Sequence, residues 1–138
     1  QPLGNSAGLW CEVMESVQCL QGDGPEDMMH VVYHLGKEAL KLAGIQNPEE
    51  RLKTVIIDGS ALNTFRQMVK EHGGSLKCLD DPETHKPLFR QEVLAASDGY
   101  ISFMNTLSLG TAVVHLGGGR LHKEDELDPT AGIVFHKK

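Results

Sequence analysis

A few groups of residues in this 138-residue chain have the types and spacing to do chemistry. Gly117-Gly118-Gly119-Arg120 sets successive glycine N–H groups beside a guanidinium, a pattern that can cradle an anion. These glycines follow an apolar run, Ser108 to Leu116, that reads as a helix. Phosphate loops precede a helix and use the positive end of its dipole, so a helix stop and tight turn is the simpler role. His30 and His34 stand four apart and share one helical face, but position 31 is Val, so the HExxH metal pattern is absent and a structural or surface role is expected. His72, His85 and His122 fall in turns or loops and are expected to be exposed. The carboxylate groups Asp80-Asp81 and Glu124-Asp125-Glu126 lie in polar stretches and read as solvated charge. No GxSxG elbow, GxGxxG or GxxxxGK[ST] is present. Cys11, Cys19 and Cys78 are odd in number and form no CxxC pair. On one helix, eight residues separate Cys11 from Cys19 by about 12 Å, beyond the roughly 7 Å a disulfide spans. They are expected to be reduced, small apolar side chains.

The elements that hold these residues follow from periodicity and punctuation. Val13, Val17 and Leu20 predict a helix from Glu12 to Leu20, closed by Gly22 and Gly24. Asp23-Gly24-Pro25-Glu26-Asp27 starts a second helix, along which Met28, Val31, Val32, Leu35, Ala39, Leu42 and Ala43 recur until Gly44. Asn47-Pro48-Glu49-Glu50 starts a third, ending at Asp58-Gly59. Ser60 is expected to N-cap a fourth, which carries Leu62, Phe65, Met68 and Val69 to Gly73-Gly74. Four helices leave no place for a sheet in the first half. Cys78 to Lys86 reads as a connecting loop. Val93-Leu94-Ala95 and Tyr100-Ile101-Ser102-Phe103 predict short strands about an Asp98-Gly99 turn, and Ala131 to Phe135 a last strand with nothing after it to pair.

Thirteen basic against nineteen acidic side chains give a net charge of −6. That balance argues against nucleic acid or an anionic membrane as a partner, since phosphate surfaces require clustered Lys and Arg. No apolar run approaches the roughly 20 residues that span a bilayer, and the start lacks a signal-peptide pattern. The expected compartment is cytoplasmic. The absent initial Met and the stop directly after a strand suggest a segment of a larger protein.

Four segments in order carry a resemblance. They are Gln1-Pro2-Leu3-Gly4 with Ala7-Gly8 and Glu12-Val13-x-Glu15; Leu20-x-Gly22-x-Gly24-Pro25-Glu26-Asp27; Gly59-Ser60-Ala61-Leu62-x-x-Phe65 with Gly73-Gly74; and a closing group. The closing group is Asp98-Gly99-Tyr100-Ile101, Leu116-Gly117-Gly118-Gly119-Arg120, Lys123-Glu124-Asp125 and Asp128-Pro129-x-x-Gly132-Ile133-Val134-x-His136-Lys137-Lys138. Together they resemble the later part of the thymidine and pyrimidine-nucleoside phosphorylase family.

The resemblance implies an α+β segment. Residues 1–88 would be a helical part of the phosphorylase α/β domain, about four helices whose sheet lies upstream, and 89–138 the beginning of a small C-terminal α/β-hammerhead domain. It implies a homodimeric enzyme that cleaves a pyrimidine nucleoside, thymidine foremost, with phosphate as co-substrate. The family's phosphate loop and base-holding residues precede the QPLG run, so no catalytic or substrate-binding residue carries over and the segment alone is expected to be inactive. One site carries over in part: a potassium ion held by the main-chain carbonyls of Leu3 and Ser6 and the carboxylate of Glu15. Oxygen donors of this kind suit a hard cation. Ser6 stands where the family has alanine, Leu9 where it has asparagine, Cys11 where it has leucine, and Trp10 where a small residue is usual. Two other classes remain: a non-catalytic paralogue serving as a binding or assembly module, and a phosphoribosyltransferase-like enzyme.

Overall fold

The computed structural model describes residues 2–136, so Gln1, Lys137 and Lys138 of the family-like end motifs lie outside the described residues. The chain is α+β, with six α-helices and one two-stranded sheet among the described residues. Strand β1 (Ser6–Gly8) leads directly into α1 (Trp10–Gln21), followed by α2 (Glu26–Leu42), α3 (Pro48–Ile57) and α4 (Ser60–Glu71). A short α5 (Leu76–Asp80) and a 3-10 turn (Pro82–His85) come next, then α6 (Thr106–Val113), which runs into a π-type turn over Val114–Gly118. Strand β2 (Gly132–Val134) ends the order.

The helix starts follow the sequence signals. Pro25 and Asn47 occupy the caps of α2 and α3, and Pro48 takes the first position of α3, where its missing N–H leaves nothing unpaired. Ser60 is the first residue of α4 rather than its cap; Gly59 holds the cap position and Asp58 Oδ1 accepts the Ser60 N–H at 2.8 Å. Asn105 caps α6, its Oδ1 accepting from Ser108 N at 3.1 Å.

Further expectations fail, each through a partner, present or absent, that local sequence does not reveal. The first half does contain a strand, and the last strand does have a mate: β1 pairs antiparallel with β2, Ser6 opposite Val134, Ala7 opposite Ile133 and Gly8 opposite Gly132. The expected loop at Cys78 to Lys86 is largely helical, because Arg66 on α4 grips Asp80 at the end of α5 with two parallel bonds, Nη1–Oδ1 at 2.6 Å and Nη2–Oδ2 at 3.0 Å. Residues 93–95 and 100–103 form no strand. A strand requires a neighbour for its N–H and C=O groups, and here Val93 is 90% and Tyr100 fully exposed.

Helix α1 is the hub, packing on α3, α4 and both strands. The innermost residues are Glu15, Val17 and Cys19 of α1, with Ala131 before β2. The accessible surface is 10573 Å², whereas a self-contained monomer of this mass exposes about 7,100 Å². Much of the excess lies in 86–105 and on helix faces such as Leu35, Leu42 and Ile57. No helix among the described residues is long and apolar enough to cross a membrane.

Candidate functional site

The sheet and the start of α1 enclose the one buried carboxylate among the described residues. Side chains on a helix lean toward its N-terminus, and positions three apart share a face. Glu12 and Glu15 therefore both reach back from α1 toward the loop and strand that precede it. Glu15 Oε1 accepts the Asn5 N–H at 2.8 Å and lies 3.4 Å from the donating Ser6 Oγ. Glu12 Oε1 accepts the Gly8 N–H at 2.7 Å. Two carboxylates of one helix thus hold the main chain on either side of Ser6-Ala7.

The ladder fixes which way the strand faces. Phe135 N donates to Asn5 O at 2.7 Å and Leu9 N donates to Ala131 O at 3.1 Å. Antiparallel ladder bonds recur at alternate residues, so Ser6 and Gly8 turn their N–H and C=O groups away from β2. The Gly8 N–H goes to Glu12, as that alternation requires. The Ser6 carbonyl faces away from β2 by the same rule.

Close approach depends on missing Cβ atoms. Gly4 has φ +73°, a left-handed conformation that costs other residues about 1–2 kcal/mol. A Cβ there would collide with Glu15 Oε2 and stand 3.1 Å from Glu15 Cδ and from Met28 Cε. Across the sheet, a Cβ on Gly8 would fall 2.5 Å from Gly132 Cα, and one on Gly132 2.5 Å from Cys11 Sγ. The glycine pair lets α1 press onto the sheet with the Cys11 thiol filling the gap. Trp10 N donates to Pro129 O at 2.9 Å, and the indole meets the His85 ring edge-on at 4.4 Å. Trp10 Nε1 is buried with no hydrogen-bond partner among the described residues.

The structure thus joins Ser6 to Glu15 directly and ties Leu3 to them through the Gly4 turn. Glu15 is 5% exposed, and no Lys, Arg or His among the described residues pairs with it. A buried carboxylate is costly without positive charge or hydrogen bonds. Here it has donors on one oxygen, the Asn5 N–H and the Ser6 hydroxyl. A buried carboxylate with no cationic side chain beside it is the kind of oxygen donor a hard cation takes.

The other sequence candidates do not assemble. His30 and His34 are exposed on α2, and no group of three His, Cys, Asp or Glu side chains among the described residues could hold a metal. Gly117 to Arg120 lie in the turn after α6, where Gly117 O accepts from Asp128 N at 2.9 Å, the helix stop expected of them. Asp80 is paired with Arg66, and Asp125 Oδ2 accepts the Leu121 and His122 N–H groups at 2.9 and 2.8 Å, closing a turn. His85 is half-buried against Trp10 rather than exposed. All three cysteines are free. Burial, with the Glu12 and Glu15 charges behind it, pushes the Cys11 thiol up; burial and then Glu15 do the same for Cys19. Neither is activated as a thiolate nucleophile. Glu12 and Gly4 escaped the sequence reading; the spacing of Glu12 and Glu15, three apart at a helix start, was the signal available.

Known proteins align with this chain from end to end. The family model of the pyrimidine nucleoside phosphorylase C-terminal domain matches residues 100–138. The chain is 33% identical to a thymidine phosphorylase of Metamycoplasma hominis over 142 aligned positions, covering 99% of this chain and 52% of the relative. It is 34% identical to a pyrimidine-nucleoside phosphorylase of Staphylococcus aureus (strain USA300) over 143 positions, covering 100% of this chain and 33% of the relative. The chain therefore spans between a third and about half the length of these relatives. In its order of segments and its end-to-end alignment, the chain is similar to thymidine and pyrimidine-nucleoside phosphorylases.

Proposed function

We propose that this chain forms part of a two-subunit pyrimidine-nucleoside phosphorylase that uses phosphate to cleave the nucleoside's glycosidic bond, yielding free base and a pentose 1-phosphate. The observation that carries the reading is the end-to-end alignment with relatives bearing those names. Thymidine is the preferred substrate in this reading, after the Metamycoplasma hominis relative. The chain's own contribution is a brace. Glu15 and the carbonyls of Leu3 and Ser6 would hold a potassium ion, and Gly4 lets the loop seat against the carboxylate. When bound, that ion supplies fixed positive charge that orders the neighbouring main chain.

The test is steady-state phosphorolysis by the full-length protein that carries this segment, with thymidine and with uridine, in potassium and in sodium buffers. Phosphate-dependent release of thymine, faster in potassium, is the expected result. Glu15→Ala removes the one anionic ligand and leaves carbonyls alone, which should weaken phosphate use by about tenfold and abolish the potassium response. Absence of phosphate-dependent cleavage would overturn the enzymatic reading in favour of a binding or assembly module. Retention of the parent's potassium response by Glu15→Ala would remove Glu15 from the cation site.

A further inference from the structure

Glu12 is exposed, lies one turn before Glu15, and is not among the expected ligands, yet its carboxylate makes one of the shortest main-chain contacts at the site. The Gly8 N–H that it accepts cannot join the ladder, because Gly8 stands at a position facing away from β2. That N–H closes the far end of β1, while the Asn5 N–H held by Glu15 closes the near end. Ser6 lies between the two fixed points, with its carbonyl facing away from β2. The helix start is itself pinned to the segment leading into β2 by Leu9 N on Ala131 O and Trp10 N on Pro129 O. Ser16 Oγ donates to the Glu12 carbonyl at 2.9 Å, which secures the same helical turn.

We propose that Glu12 is a positioning residue for the Ser6–Glu15 site: its carboxylate holds the Gly8 N–H and thereby fixes β1 so that the Ser6 carbonyl and Asn5 N–H stay aligned with Glu15. It acts through the strand and touches neither ion nor substrate. This extends the potassium reading given above but does not depend on it, since the strand is held whether or not an ion is bound.

A competing role is simple: a carboxylate in the first turn of α1 also favours the helix dipole. Two substitutions separate the roles. Glu12→Gln keeps an oxygen acceptor at the same reach and loses the charge. Glu12→Asp keeps the charge and withdraws the acceptor by one methylene. Amide hydrogen exchange of the full-length protein that carries this segment, resolved to individual residues, is the primary readout. The clamp requires parent-like protection at Gly8 and Asn5 in Glu12→Gln, and exchange about tenfold faster at both in Glu12→Asp. The dipole role requires the reverse order, with changes concentrated in the first turn of α1, and that result would overturn the proposal. So would parent-like exchange at Gly8 in Glu12→Asp.

The second readout is thermal unfolding of the same variants in potassium against sodium chloride. A potassium-specific rise in Tm that survives in Glu12→Gln and shrinks in Glu12→Asp supports positioning of the cation loop. A rise of equal size in both variants would overturn that part. If the parent shows no such rise, the potassium reading fails on its own, and the exchange result at Gly8 and Asn5 alone decides the role of Glu12.

Discussion

Gly4→Ala tests the geometry of the buried carboxylate most directly. At φ +73° an alanine is strained by about 1–2 kcal/mol. Its Cβ would also overlap Glu15 Oε2, so the carboxylate must move off the Asn5 N–H. A hydrogen bond to a charged group contributes about 1.5–3 kcal/mol. The two effects together predict destabilisation of about 2.5–5 kcal/mol, or a fall in Tm of about 8–20 °C for a chain of this size. Gly44 provides the control, because it has the same φ of +73° and nothing within 4 Å of its would-be Cβ. Gly44→Ala should therefore show the backbone strain alone, about 3–8 °C. Any stiffening of the unfolded chain by alanine applies to both variants and cancels in the comparison. A double-mutant cycle completes the assay: with Glu15→Ala in place, Gly4→Ala should cost no more than Gly44→Ala, since the obstacle is gone. Thermal unfolding by circular dichroism measures all four differences. Equal losses for Gly4→Ala and Gly44→Ala in the parent background would refute the packing of Glu15 on Gly4, and with it the brace.

Two further outcomes follow from other parts of the fold. The Arg66 guanidinium holds the Asp80 carboxyl below its ordinary range, so the pair stabilises the fold above that range and the contribution is lost as pH falls through the lowered value. Asp80→Asn should flatten the decline of Tm between about pH 5 and 3, modestly because the pair is solvent-facing; an unchanged slope counts against any anchoring of α5 by that pair. Limited proteolysis should cut first within residues 86–105, at Arg90 with trypsin and at Phe89, Tyr100 or Phe103 with chymotrypsin, since this stretch has neither helix nor strand. Mass spectrometry of the first fragments checks this, and initial cuts inside α2 or α3 would contradict it.

What the sequence disclosed depended on how far away each residue's partner lies. The first four helices are legible because their signals are local: Met28, Val31, Val32 and Leu35 repeat on one face, and Pro25 and Pro48 mark starts. Strand β1 is not legible, because Ser-Ala-Gly carries no strand preference and its mate β2 lies at the other end of the chain. The converse error arises at Val93 to Phe103, where apolar, β-prone residues predict strands but no neighbour supplies their hydrogen bonds. Propensity describes what a segment tolerates, and pairing decides what it does.

The same distinction governs the site. Glu15, judged by its own helix, is one carboxylate among several, and only the family resemblance singled it out. Its burial comes from three features spread through the chain: the Gly4 turn that brings the loop against it, the α1 hub beneath it, and the β1–β2 ladder that holds the loop in place. Glu12 shows the complementary case. It is exposed and matches the common pattern of an acid at a helix start, so burial alone would never select it. Its importance appears only when each main-chain N–H is followed to an acceptor. Gly8 faces away from its strand partner, and its donor is accounted for solely by that carboxylate. A positioning residue of this kind is therefore found by tracing the hydrogen bonds of the backbone it serves, not by inspecting its own surroundings.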